Sequence, residues 1–143
     1  MSRVRLGSKG CVFIAAAVIA LGARIAAQTT SDTLASVKLP RAVLANGQPL
    51  APGTYTLRLA TDAGTPAAGQ VADGSRWIEF VQDGRVAGRE LTSVVARADV
   101  QSVLKGPGPA SGTAKVELLK GDDYLRIWVN RNGTHYLIHL PVK

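Results

Sequence analysis

Apolar residues in this chain fall in short runs separated by turn residues. After the first 35 residues the candidate runs are Ser36–Leu39, Ala42–Ala45, Tyr55–Ala60, Trp77–Gln82, Val86–Ala96, Ala114–Leu119, Tyr124–Asn130 and Thr134–Leu140. Asn46-Gly47, Pro52-Gly53, Asp83-Gly84, Gly121-Asp122 and Asn132-Gly133 stand between them. Short β-rich runs at this spacing predict an all-β sandwich or barrel. No stretch past residue 30 holds a helical period for long. Val94–Leu104 is the one ambiguous segment, with room for a short helix.

The last third shows the pattern most clearly. Side chains alternate across a strand, so Leu125, Ile127 and Val129 face one way and Tyr124, Arg126, Trp128 and Asn130 the other. Asn132-Gly133 then turns the chain, because Gly133 is free to take positive φ. In the returning run Tyr136, Ile138 and Leu140 share the core face, and His135, Leu137 and His139 share the second. Thr61–Ser75 and Lys105–Thr113 are long loops rich in Gly, Ala, Pro and Ser. Their composition predicts mobile connectors, since they offer little apolar area to offset the entropy of ordering.

Asn46–Ala60, NGQPLAPGTYTLRLA, is the most patterned stretch. Ala51-Pro52-Gly53-Thr54 suits a type II turn, with Pro52 presetting φ and Gly53 at the position that needs it positive. Tyr55, Leu57 and Leu59 then alternate with polar residues into the core. A buried Tyr55 hydroxyl would find its partner in the turn backbone. The stretch resembles the N-G-x-x-L-x-x-G-x-Y-x-L run of small exported bacterial proteins of unassigned function. It is also similar to the L-x-P-G-x-Y corner of transthyretin-like and carboxypeptidase-regulatory-like domains. The resemblance covers these fifteen residues and carries over no catalytic residue. It implies a non-catalytic accessory β-sandwich. The expected architecture is a single antiparallel β-sandwich of seven or eight strands, Ig-like or transthyretin-like, over residues 37–143.

The N-terminal pattern predicts export of this domain. Arg3, Arg5 and Lys9 precede an uncharged apolar run, Cys11–Ala23, and small residues Ala26 and Ala27 follow. A basic start, a short apolar run and a small-residue exit describe a secretory signal peptide over residues 1–27. An uncleaved anchor is the alternative, although thirteen apolar residues fall short of the ~20 a spanning helix needs. Gln28–Ser36 is small and polar and reads as a flexible leader. The expected location is the periplasm or the cell exterior, with no membrane contact after cleavage.

Cleavage changes the charge. The full chain has 17 basic and 10 acidic residues, and four of the basic ones precede residue 28. The remainder carries 13 against 10, a net +3, with no basic stripe interleaved with aromatics. Nucleic acid is therefore not an expected partner. The only cysteine, Cys11, leaves with the signal, so the core must stabilise the domain without a disulfide.

Little in the sequence looks catalytic. His135 and His139, four residues apart on a strand, lie about 13 Å from each other and are too far apart to share a zinc ion. No G-x-S-x-G elbow is present. Glu79, Glu90 and Glu117 lie on predicted strands, and Asp122-Asp123 sits in a predicted turn. No catalytic residue, metal or cofactor is assigned. The leading expectation is a non-catalytic accessory or interaction protein of the bacterial envelope whose partner is an envelope protein or a glycan. The alternative is a small carbohydrate- or ligand-binding module, with Tyr124, Arg126 and Trp128 as the binding row, unless that face packs into a second sheet or under a loop. A hydrolase would instead pair His135 or His139 with an acid.

The N-terminal pattern predicts cleavage near Ala27. Intact-mass analysis of exported protein is expected to find a chain starting close to Gln28. Met1 retained in a membrane fraction would show an anchor.

Overall fold

The computed structural model describes residues 33–62 and 74–143. The predicted signal peptide and most of the Thr61–Ser75 loop lie outside the described residues. Among the described residues nine strands form: β1 (Thr33–Leu39), β2 (Val43–Ala45), β3 (Gln48–Leu50), β4 (Gly53–Leu59), β5 (Ser75–Gln82), β6 (Arg85–Val95), β7 (Thr113–Leu118), β8 (Tyr124–Arg131) and β9 (Thr134–Pro141). A 3₁₀ turn at Arg97–Asp99 and a one-turn helix α1 (Val100–Val103) lie between β6 and β7. The predicted all-β antiparallel class forms, with the short helix inside the ambiguous segment.

Seven strands hydrogen-bond in one continuous sheet, in the order β1-β4-β5-β6-β9-β8-β7, while β2 and β3 form a separate ribbon. The sheet curls until its edge strands β1 and β7 lie beside each other, which makes it nearly a barrel. One apolar core fills the inside. Val37 and Leu39 of β1, Leu57 of β4, Phe80 of β5, Ile127 of β8 and Ile138 of β9 meet there. Tyr55 stands edge-on to Phe80, with ring centroids 6.2 Å apart.

Local sequence explains the hairpins. Asn46-Gly47, Asp83-Gly84 and Asn132-Gly133 each close a two-residue loop. Asn132 and Gly133 have φ of 52° and 89°. Positive φ at both central residues belongs to the type I′ turn, whose twist matches that of the strands it joins. Asn and Gly are the residues that adopt it at low cost.

Two expectations at the N-terminal side need correction. Thr33–Ser36 was expected to belong to a flexible leader, yet these residues are strand. Consecutive burial of Leu34 and Ala35 hid the strand's period, and the cause is a register irregularity between Thr33 and Ala35. The expected type II turn at Ala51–Thr54 is also absent. Gly53 has φ of 155° and opens β4 in a nearly extended conformation. The predicted tie to the turn backbone does form, with the Tyr55 hydroxyl donating to the Ala51 carbonyl at 2.8 Å.

Pattern reading missed β3, whose three residues are too short to show a period. The ribbon it forms with β2 has a structural role. β6 pairs with β9 only through Ser93–Val95, so the earlier part of β6 has no partner on that side. The ribbon fills this gap. Leu50 lies over Gly88 of β6, where an added Cβ would come within 3.0 Å of the Leu50 side chain. The Asn46 N–H donates to Glu90 at 2.5 Å, and Val43 bridges to Val142 beyond β9. Val43, Ala45 and Leu50 are all buried in the main core.

The ribbon thus completes the core wall between β6 and β9. Leu50→Ala is expected to cost about 2–5 kcal/mol, the range for emptying a buried leucine site. Urea unfolding monitored by circular dichroism measures it. A cost below ~1 kcal/mol would show that the ribbon only rests on the surface.

Candidate functional site

Strand order dictates where a site can form. β7, β8 and β9 follow one another as hairpins, but β6 lies beside β9, an arrangement of the Greek-key type. The chain must therefore pass from the end of β6 to the start of β7 across the ends of β9 and β8. It does so on the outer face, because the inner face is the core. Residues 96–112 make this crossing.

The outer face under the crossing is apolar. Trp128 and Leu137, opposite each other on β8 and β9, pack with Val95, Val100 and Leu104 in a second, smaller core. Trp128 is only 1% exposed. Gly108 in the crossing lies directly over it, and a Cβ there would come within 2.7 Å of the indole. Only a glycine lets the loop approach so closely without displacing the ring.

This placement separates the predicted binding row of Tyr124, Arg126 and Trp128. Tyr124 is exposed, Arg126 is half-buried, and Trp128 is covered. Alternation put all three on one face correctly. It had no way to show that residues 96–112 return to cover one end. Arg126 is also committed, since its guanidinium pairs with Glu117 on β7, and Glu117 also holds Lys115 at 2.5 Å. The Lys115 ammonium first, then Arg126, holds the Glu117 carboxyl below the usual range. The three residues do not form an exposed aromatic platform.

The Lys105–Thr113 loop, predicted to be a mobile connector, is tied down instead. Asn130 donates through Nδ2 to the Pro109 carbonyl at 2.9 Å, and its own carbonyl accepts from the Gly112 N–H at 2.7 Å. The Asn132 N–H donates to the Ser111 hydroxyl at 3.1 Å. The Asn130 side-chain oxygen accepts from the Gly133 N–H at 3.0 Å. Composition missed this because the partners belong to the β8–β9 turn, not to the loop.

Between the crossing and the β8–β9 turn lies a cleft of about 660 Å³. Arg97, Gln101, Ser111, Asn130, Asn132 and His135 supply its polar lining. Arg97 comes from the 3₁₀ turn and rests on Gly133, where an added Cβ would lie 3.1 Å from its Cδ. Among the described residues no carboxylate lines this cleft, and none ion-pairs with Arg97.

His135 forms the inner wall and is 6% exposed. Its Nδ1 accepts the indole N–H of Trp128 at 2.7 Å. An imidazole that accepts at Nδ1 is neutral and carries its proton on Nε2. Burial first, then the Arg97 charge, lowers its pKa from the ordinary 6.5. His135 is thus held as a donor, and the nitrogen a general base would use is occupied by the indole.

The other titratable candidates are dispersed. His139 is exposed near the far end of β9. Glu79 pairs with Arg58 at 2.5 Å, and Glu90 accepts backbone N–H groups of Asn46 and Leu91. Asp122 and Asp123 are exposed in a turn. Among the described residues no three His, Cys, Asp or Glu side chains gather to hold a metal ion. Nor is any described helix long and apolar enough to cross a membrane.

Arg97, Gln101, Ser111 and Asn132 escaped sequence reasoning because each sits in a polar, loop-like context. Only the Asn-Gly turn hinted at the place. No protein-family model, curated protein or solved structure matches the chain.

A neutral buried His135 links stability to pH. Its folded pKa is lowered, so the unfolded chain binds more protons near and below pH 6.5. Stability is expected to be full above that value and to fall as pH drops through it toward the folded pKa. His139 is lowered in the same direction, first by desolvation and then by Arg126, but it is exposed to solvent, so its share of the slope is small. His135→Gln, whose carbonyl can still accept the indole N–H, is expected to flatten the decline. Urea unfolding at pH 7.5 and pH 5 checks this, and an unchanged slope would show that His135 is not buried neutral.

Proposed function

We propose that this chain is an exported, non-catalytic binding module of the bacterial cell envelope that takes a small polar ligand in the cleft between Arg97 and His135. The observation that carries the reading is a donor-rich cleft whose one buried titratable group is fixed as a hydrogen-bond donor. Ligand sites are concave, with a few polar groups converging in a volume of roughly 300–1,000 Å³. The cleft's 660 Å³ falls within that range. Its two supporting segments, the β8–β9 turn and the crossing, are bonded to each other, which favours a preformed site. Binding suits the residues better than catalysis. A general base needs a free nitrogen, and His135 Nδ1 is taken. The pattern of residues 1–27 supports export.

A protein partner is the second reading, favoured by one feature of the outer face. Arg89 lies 5.2 Å above the half-buried Trp77 ring, and one of its terminal nitrogens donates to both carboxylate oxygens of Asp62 at 2.6 Å. A fixed aromatic–arginine pair of this kind suits an envelope protein's surface.

Titration of isotope-labelled protein with a panel of small sugars, sugar acids and amino acids distinguishes the two by NMR. Amide shifts are expected at Asn132 and Gly133, with the Trp128 indole moving alongside them. Ser111→Leu, which puts an apolar side chain at the mouth, is expected to abolish them. Shifts centred on Trp77 and Arg89, or chemical turnover of any panel member, would overturn the cleft reading.

A further inference from the structure

We propose that the cleft selects a carboxylate borne on a hydroxylated scaffold, the chemistry of a sugar acid. The inference rests on the cleft being a ligand site and specifies what that site recognises.

The argument begins with an imbalance between donors and acceptors. Arg97 contributes a guanidinium with five N–H donors and no ion-pair partner among the described residues. His135 contributes Nε2–H, because Nδ1 is filled by the indole. Ser111 accepts the Asn132 N–H and keeps its own hydroxyl proton to donate. Gln101 and Asn132 add amide donors. With no carboxylate among the described lining residues, donors outnumber acceptors. A ligand that satisfies such a lining must be rich in acceptors and carry negative charge.

Charge then narrows the class. Among the described lining residues Arg97 is the only cation, since His135 is held neutral. One guanidinium balances one negative charge, so a monoanion matches the site better than a dianionic phosphate. The planar fork of arginine fits the two oxygens of a carboxylate with parallel hydrogen bonds. The Arg97 stem lies against Gly133 of the β8–β9 turn, which brings the fork to the cleft.

The remaining polar groups call for hydroxyls. Asn130 is largely consumed within the protein, donating to Pro109 and accepting from Gly133. Ser111, Asn132 and Gln101 each offer both a donor and an acceptor, the pairing that a ring or chain of hydroxyl groups satisfies. A simple inorganic anion would leave them to water.

Calorimetric titration of the purified protein with glucuronate, its methyl ester, glucose and inorganic phosphate tests the inference. Glucuronate is expected to bind more tightly than the ester, glucose or phosphate, with affinity falling as salt rises. Arg97→Gln is expected to weaken glucuronate binding about tenfold or more, the loss expected for a charge-assisted pair. Arg97→Lys keeps the charge without the fork and is expected to recover only part. Arg97 is exposed, and an unchanged near-ultraviolet dichroism of Trp128 will show that the variants keep the fold. If glucose or the ester binds as tightly as glucuronate, with shifts at Asn132 and Gly133, the carboxylate inference fails while the cleft remains a ligand site. If glucuronate binds but Arg97→Gln makes no difference, the inference fails as well. If no probe shifts Asn132, Gly133 or the Trp128 indole, both the inference and the site reading fall.

Discussion

The hydrogen bond from the Trp128 indole to His135 Nδ1 is the interaction on which the functional end of this protein depends. It joins β8 to β9 on the outer face, 2.7 Å between heavy atoms, under the cover of the crossing. A buried indole N–H without an acceptor would cost about 1–3 kcal/mol, so His135 allows the tryptophan to be covered. The tryptophan in turn gives the crossing an apolar surface to fold against. The same bond fixes the imidazole proton on Nε2, which leaves His135 a donor toward the cleft. Fold and site thus share one contact.

Topology explains why the crossing exists. With β6 beside β9, and β7 at the far edge, the chain has to travel over two strands. A bare crossing over polar strand faces would stay solvated. Here Trp128 and Leu137 supply the apolar patch and Val95, Val100 and Leu104 cover it. The Lys105–Thr113 stretch is rich in glycine and proline, and its order comes from outside itself. Gly108 admits the indole, and the β8–β9 turn supplies the hydrogen bonds. The cleft is the space left where this strap meets that turn.

The opposite weakness of the sheet, its three-residue seam between β6 and β9, is met by a different device. The β2–β3 ribbon lays Leu50 on Gly88 and ties Val43 to the chain's C-terminal end. The patterned stretch Asn46–Ala60 is therefore a structural corner, with Tyr55 held to Ala51 and Arg58 paired with Glu79. Its parts serve the fold: a tight hairpin, a proline, and a tyrosine tied to backbone.

The sequence alone located most of the strands, the alternation of their faces and the glycine-containing turns between them. These are local properties, set by side-chain period and by the few residues that tolerate positive φ. It placed Leu125, Ile127 and Val129 inward and the Trp128 row outward, and it put a short helix within the ambiguous Val94–Leu104 segment. What it could not carry was anything that depends on which distant segments meet. The three-residue β3 has no period to read, and the irregularity at Thr33–Ala35 erased the alternation of β1. Whether Trp128 is a surface platform or a buried anchor was settled by residues 96–112 folding back over it. Arg97, Ser111 and Asn132 became a site only through the same folding. Alternation fixes the face of a strand on which a residue lies; only tertiary structure decides what covers that face.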